Sequence, residues 1–494
     1  MTGQPMPLPE LLEHLKKTAA LSQVAGLISW DQEAMMPREG AAQRAEQSGV
    51  LASVIHAYNG DPRVPEWIAK IDPDPLSPFD RRNIEEAQRA YDRATKIPAR
   101  LAEESAKASS EGQLLWARAR AAKDFAMFVP ALKRNIELKR EEAACLADPG
   151  TDLYDSLLDE FEPGAKAAEL LPLLESLRPG LVALREKIAG KPAPQPLTGH
   201  FAADAQLALA KTVAARIGYD FNAGRIDTVV HPFCSGNGGD VRITTRIDEA
   251  DPLNCLYSTI HEVGHALYAQ GAPDPYLPAA DYCSMGVHES QSRFWENQIG
   301  RSRAFADWLY PQMKEAFGEF SLAGPDALYA AVNRVHSGFI RTEADEVHYN
   351  LHILLRFELE RELICGALEA EDLEEAWNER FARDFGENVP DPSLGVLQDV
   401  HWSIGLFGYF PTYSLGNIYS ACLDRAMRRD MPDRDATVRT AETRPILDWL
   451  REKIHVKGRL LPAPKLIEEA TGEAPSAQPL LDYLEDKFGG LYDL

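Results

Sequence analysis

Thr259-Ile260-His261-Glu262-Val263-Gly264-His265-Ala266-Leu267-Tyr268 is the stretch that decides how this chain reads. Two histidines four positions apart, with a glutamate directly after the first, form an HExxH pattern. On a helix, residues i and i+4 stand one above the other, so both imidazoles can grip one metal ion. Glu262 follows His261 by about 100° around the axis and can face the ion's water without ligating the ion. The flanking residues predict the helix. Asp251-Pro252 supplies an N-cap with proline at the first helical position. Leu253, Leu256, Tyr257, Ile260, Gly264 and Leu267 carry an apolar stripe, and Gly271 offers a stop. The competing reading is two core or surface histidines that share this spacing by accident; the helical context argues against it.

Two histidines do not complete a site, because a catalytic zinc keeps three protein ligands and one open position. His288-Glu289-Ser290-Gln291-Ser292-Arg293-Phe294-Trp295-Glu296-Asn297 has helical spacing and offers two carboxylates. Glu289 lies 24 positions beyond His265, and Glu296 lies seven further, on nearly the same face. Spacing alone leaves both open. With either, the chemistry narrows to hydrolysis. The metal brings the pKa of its water toward ~7 and polarises a carbonyl. Glu262 carries the proton from water to the leaving amine. The tetrahedral oxyanion needs a further donor, a tyrosine hydroxyl or an imidazolium.

Composition bounds the alternatives. The 494 residues are 45% hydrophobic, enough for a sizeable core, and carry a formal net charge of −24. That charge argues against nucleic acid or an anionic membrane as partner. Six scattered cysteines without a C-x-x-C pair read as free thiols of a reducing compartment. Met1-Thr2-Gly3-Gln4-Pro5 lacks the pattern of a signal peptide, and no run of about 18 apolar residues predicts a membrane span. The expected location is the cytoplasm.

Helical periodicity dominates the chain: residues 8–29, 40–58, 80–148, 165–189 and 203–217, then 288 to the carboxyl terminus with breaks near 386–396 and 461–464. His336, His348 and His352 fall on a helical run. The charges over 80–148 read as solvated faces. Lys191-Pro192-Ala193-Pro194-Gln195-Pro196 is linker-like. It either divides an amino-terminal helical region (1–190) from a catalytic half (200–494) or is a loop within one domain spanning 1–494. The β texture is confined to Arg225–His231 and Asp240–Ile247, separated by the turn-rich Pro232–Gly239. A small antiparallel sheet is therefore expected beside the metal helix, where such sheets hold substrate backbone. The fold class is mainly α.

Six segments, in order, resemble the signature of the carboxypeptidase Taq family of metallocarboxypeptidases: His231-Pro232-Phe233, Asp240-Val241-Arg242-Ile243-Thr244, His261-Glu262-Val263-Gly264-His265, His288-Glu289-Ser290-Gln291, Ile340-Arg341-Thr342-Glu343-Ala344-Asp345 and Gly395-Val396-Leu397-Gln398-Asp399-Val400-His401-Trp402. Trp30-Asp31-Gln32-Glu33 and Gly408-Tyr409-Phe410-Pro411-Thr412-Tyr413 extend the likeness over nearly the whole chain. The resemblance implies a large helical domain with a deep central groove. It implies a homodimer that removes residues from peptides with a free C-terminus, with broad specificity. Zinc is the implied metal, and cobalt can support activity in the family. Residue by residue, it makes His261, His265 and Glu289 the ligands and Glu262 the general base.

Further roles follow from chemistry. A terminal carboxylate calls for arginine, and the motifs hold Arg242 and Arg341. Arg341 is preferred; the bland alternative is an ion pair with Asp345 or Glu343. His401 and Tyr409 are the candidates for oxyanion stabilisation, with Tyr413 in reserve. Asp399 is placed to orient His401, and His288 to support a ligand from behind. The rival readings are an HExxH endopeptidase or aminopeptidase of similar helical architecture, or an inactive helical binding protein that retains the metal site.

Overall fold

Apolar stripes at helical spacing become helices along almost all of the chain. A computed structural model describes residues 7–494; the reading of Met1–Pro5 lies outside the described residues. Helices carry the structure, with one three-stranded sheet. The chain divides into two compact units. The first unit is built from the residues up to Thr95, Gln195–Val332 and Cys422–Ala474. The second is built from Lys96–Pro194, Asn333–Ala421 and Pro475–Leu494. One boundary falls within the proline-rich segment 191–196.

In the first unit the central helix runs Pro252–Gln270, with the Asp251 side chain capping the Asn254 amide. Its twelve buried residues include Leu256, Tyr257, Ile260, Gly264 and Leu267 of the predicted stripe, whereas Leu253 is half-buried. A helix at Met285–Arg293 packs on it and continues as a π-helix, Phe294–Gly300. The sheet packs beside the same helix. Strands β1 (Gly224–Thr228), β2 (Cys234–Asn237) and β3 (Asp240–Thr245) lie in the order β1-β3-β2. Here the expectation of a purely antiparallel sheet needs correcting. β2 and β3 form an antiparallel hairpin, but β1 pairs parallel to β3. The turn-rich stretch hides β2: the chain must reverse twice after β1, once before β2 and once at Gly238-Gly239. β3 is tied to the central helix by Thr259 Oγ1 donating to Thr245 Oγ1 (2.9 Å).

In the second unit Ala99–Ala122 and Val129–Leu146 pack on each other and on a short 3-10 turn, His401–Ile404. Glu346–Cys365 is buried on nearly every face. It packs against Arg178–Ile188, Leu373–Phe385 and Val129–Leu146. His348 and His352 lie on this helix as expected, whereas His336 lies in the loop before it. The predicted 165–189 run is two helices, Ala167–Glu175 and Arg178–Ile188, parted just before Pro179. None of the six cysteines forms a disulfide. Among the described residues no helix is long and apolar enough to cross a membrane.

Candidate active site

Gly264 decides how close the second ligand helix can come. A Cβ there would stand 2.5 Å from Ser292 Cα and 2.7 Å from the Gln291 carbonyl oxygen. Its absence lets the Met285–Arg293 helix rest directly on the central one. That contact brings Glu289 to His261 and His265, whose rings stand edge to face, 4.9 Å apart. Glu289 Oε2 lies 3.4 Å from His265 Nε2 and 3.7 Å from His261 Nε2. Ligand atoms about 2.0–2.1 Å from a tetrahedral ion stand roughly 3.3 Å apart, so this set fits one small divalent cation. It is the one His/Cys/Asp/Glu cluster of metal-holding geometry among the described residues.

The remaining ring nitrogens are already committed, which leaves both Nε2 atoms for the ion. His261 Nδ1 meets Glu296 Oε2 at 2.9 Å, and His265 Nδ1 meets the His288 carbonyl at 3.1 Å. Such partners fix tautomer and ring direction. Glu296, the rival ligand in the sequence, therefore stands behind the His261 ring. Its carboxylate also accepts from Arg301 (3.0 Å) and Arg293 (3.3 Å). Burial opposes its charge, but the His261 bond and the two arginines hold it far below the usual carboxylate range. Glu289 is likewise buried yet held well below that range, by Arg293 and the two imidazoles. Arg293 Nε donates to Glu289 Oε1 at 2.7 Å. His288 supports His265 twice, through its carbonyl and through a stacked ring 4.5 Å away.

Glu262 is buried beside the ligand pair. Burial raises its pKa; the two histidines pull it down and the neighbouring carboxylates push it up again, for a net rise. A carboxylate so poised suits proton exchange with water. β2 packs on the central helix, and the Cys234 thiol at its start is raised by burial and then by the charge of Glu262. Arg242 on β3 forms a two-pronged pair with Asp240 (2.8 and 2.8 Å), and its guanidinium lies 4.3 Å over the Trp30 ring.

The second unit gathers the other sequence-selected residues. Arg341 does not pair with Asp345 or Glu343. Its Nε and Nη2 donate to Asp399 Oδ1 (3.0 and 2.8 Å). Asp345 instead caps the Glu346–Cys365 helix and meets His348. Asp399 also accepts from Arg356 Nε at 2.6 Å. One carboxylate thus serves two buried guanidiniums and leaves an excess positive charge. Arg341 further meets the Tyr349 hydroxyl (3.2 Å) and lies 4.9 Å over the Tyr413 ring. The expected Asp399–His401 hydrogen bond is absent: Nδ1 stands 4.0 Å from Oδ1 because the carboxylate is turned to the arginines. His401 Nε2 faces the Tyr413 hydroxyl at 3.4 Å, and Tyr409 packs edge-on against Tyr413. Burial pushes His401 down to about 4, Asp399 pulling up and the two arginines pushing further down. It is a neutral imidazole near pH 7, where an imidazolium was one expectation. Sequence reasoning missed Arg293, Arg301 and Arg356. Only Arg293, one helical turn after Glu289, left a visible signal.

Comparison with known proteins agrees with these motifs. Residues 10–488 match the family model described as carboxypeptidase Taq (M32) metallopeptidase. The chain is 44% identical over 501 residues to thermostable carboxypeptidase 1 of Thermus thermophilus, covering 98% of each. It is 36% identical to carboxypeptidase 1 of Bacillus subtilis, again covering 98% of each. Among solved structures, the M32 carboxypeptidase of Deinococcus radiodurans R1 superposes with a TM-score of 0.95 at 38% identity, covering 99% of this chain and 100% of that one.

Proposed function

The chain belongs to the carboxypeptidase Taq (M32) metallopeptidase family and is a metallocarboxypeptidase, and from that premise we propose a zinc enzyme of broad specificity that releases C-terminal residues from peptides. The observation that carries the metal assignment is the triangle of His261 Nε2, His265 Nε2 and Glu289 Oε2, with each Nδ1 held from behind. Two imidazoles and one carboxylate are a usual catalytic zinc set; cobalt is a plausible replacement on the same donors. A divalent ion held there supplies Lewis-acid polarisation and acidifies water.

The protein's own groups do the rest. Glu262 accepts the proton of the attacking water and returns it to the departing amine as the peptide C–N bond breaks. His401, neutral, and Tyr409 donate hydrogen bonds to the developing oxyanion, with Tyr413 beside them. Arg341 takes the terminal carboxylate. The excess charge of the Arg341–Asp399–Arg356 cluster supports this choice over Arg242, whose charge Asp240 already balances. The functional unit is a homodimer, as the family resemblance implies.

Mass spectrometry of a peptide ladder tests the reading. Residues should leave singly from the free C-terminus. A C-terminal amide should block cleavage, a chelator should stop it, and zinc should restore it. Equal cleavage of the amidated peptide refutes the terminal-carboxylate assignment.

A further inference from the structure

Glu360 is a fully buried carboxylate on the Glu346–Cys365 helix, away from any assigned role. Its oxygens collect three donors. Tyr154 Oη donates to Oε1 at 2.8 Å, and the Gly408 amide donates to the same oxygen. Trp402 Nε1 donates to Oε2 at 2.9 Å. Two of these donors sit directly beside the residues assigned to oxyanion stabilisation: Trp402 follows His401, and Gly408 precedes Tyr409. The segment between them is short and sharply turned. Gly408 has φ +88°, and a Cβ there would meet the Leu157 carbonyl oxygen at 2.5 Å. The Asn135 side chain pins the early part of the segment by donating to the Trp402 and Ser403 carbonyls, 2.9 Å each. Toward its end, Glu360 is the side chain that holds the Gly408 amide.

We propose that Glu360 is a positioning residue: it straps both ends of the 401–409 loop to the buried helix and so fixes where His401 and Tyr409 present their donors. The proposal rests on the oxyanion reading of His401 and Tyr409. The ionised form of Glu360, which prevails above about pH 7, gives all three donors an acceptor oxygen. A glutamine offers one acceptor oxygen. With that oxygen in the Oε1 place, its NH2 confronts the Trp402 N–H. Flipped, the NH2 confronts the Gly408 N–H, which cannot turn away. Either way one end of the loop loses its anchor. Displacements of about 1 Å at a reacting centre cost up to ~100-fold in rate.

The test uses the metal-loaded, full-length enzyme and a peptide with a free C-terminus, at about pH 8, where Glu360 is ionised. Glu360→Gln should lower kcat roughly 10- to 100-fold, with KM changed little, because the loop's donors act in the transition state. In a Tyr409→Phe or His401→Ala background the same substitution should have little further effect, since the groups it misplaces are already gone. Thermal unfolding and metal content identify loss of folded enzyme. Should Glu360→Gln not fold at the assay temperature, Tyr154→Phe, which removes one donor from Oε1, should give a smaller kcat loss with the same dependence on Tyr409. If His401→Ala and Tyr409→Phe lower kcat but Glu360→Gln and Tyr154→Phe do not, the positioning role is wrong and the loop assignment stands. If His401→Ala and Tyr409→Phe leave kcat at the wild-type value, the oxyanion reading fails and the positioning role falls with it. Additive losses in the double variants, tracking stability, would reduce Glu360 to a strut of the fold.

Discussion

Glu289 and Glu296 look interchangeable in the sequence, and replacing each by glutamine should separate them by metal affinity. Glu289 Oε2 faces both Nε2 atoms, at 3.4 and 3.7 Å. Glu289→Gln removes the anionic donor and leaves two neutral imidazoles. Glu296 Oε2 faces only the Nδ1 of His261, at 2.9 Å. Glu296→Gln keeps a hydrogen-bond acceptor there but withdraws the charge that orients the imidazole and makes it a better donor. Arg293 keeps Glu289 as partner, whereas Arg301 loses its carboxylate at 3.0 Å and keeps the Val332 carbonyl and the face of the Tyr257 ring. Changes behind a ligating histidine cost about 10- to 100-fold in metal affinity, roughly 1.4–2.8 kcal/mol. Glu296→Gln should fall in that interval and Glu289→Gln well beyond it. The assay is equilibrium dialysis against chelator-buffered zinc, with bound metal read by mass spectrometry of the native protein. A loss for Glu296→Gln as large as that for Glu289→Gln would make Glu296 a ligand. Wild-type affinity in Glu296→Gln would make the Nδ1 contact incidental.

Glu262→Gln should retain metal and lose about 10²- to 10⁴-fold in kcat; unchanged turnover at full zinc occupancy would rule out the proposed base. Gly264→Ala should cost about 1–3 kcal/mol of stability by overpacking, because its Cβ would stand 2.5 Å from Ser292 Cα, and should weaken zinc binding as the ligand helices separate; urea unfolding together with the same dialysis checks both. Glu360 should set a pH dependence of stability. Burial raises its carboxyl from 4.5 to about 7, against the pull of Gly408, Trp402 and Tyr154. The native state thus binds the proton more tightly than the unfolded one. The contribution is fully present below about pH 4.5 and is lost as the pH rises through about 7, a change of roughly 3 kcal/mol. Urea titrations between those pH values should show wild type losing stability relative to Glu360→Gln by about that amount; parallel profiles would refute it.

What the sequence made legible was set by the range of the interactions. The metal helix was readable from local rules alone: Asp251-Pro252 begins it, a stripe of apolar residues faces inward, and four-residue spacing puts two imidazoles on one side. The Arg242–Asp240 pair is equally local, since residues two apart share one face of a strand, although from the sequence Arg242 is assigned only to a substrate carboxylate. Spacing alone left Glu289 and Glu296 open because the local rule it relies on does not hold here. Seven residues return to one face only while the helix stays α, and here it becomes a π-helix at Phe294. The changed winding turns Glu296 toward Nδ1 while Glu289 keeps Nε2. β2 was hidden because Cys234-Ser235-Gly236-Asn237 has no β-branched residue; its pairing with β3 makes it a strand.

The polar partners of the second unit leave no period at all. Asp399 lies 58 positions from Arg341, and the three donors to Glu360 lie 206, 42 and 48 positions away. On a helix pattern Glu360 reads as one more solvated glutamate, and nothing in its neighbours' spacing says otherwise. Burying a carboxylate is expensive unless several donors meet it. The folded chain brings tyrosine, tryptophan and glycine amide donors from separate segments to do so. The motif resemblance singled out His401 and Arg341 as candidates. It stopped at Glu360, whose role depends on which distant groups the fold sets against it.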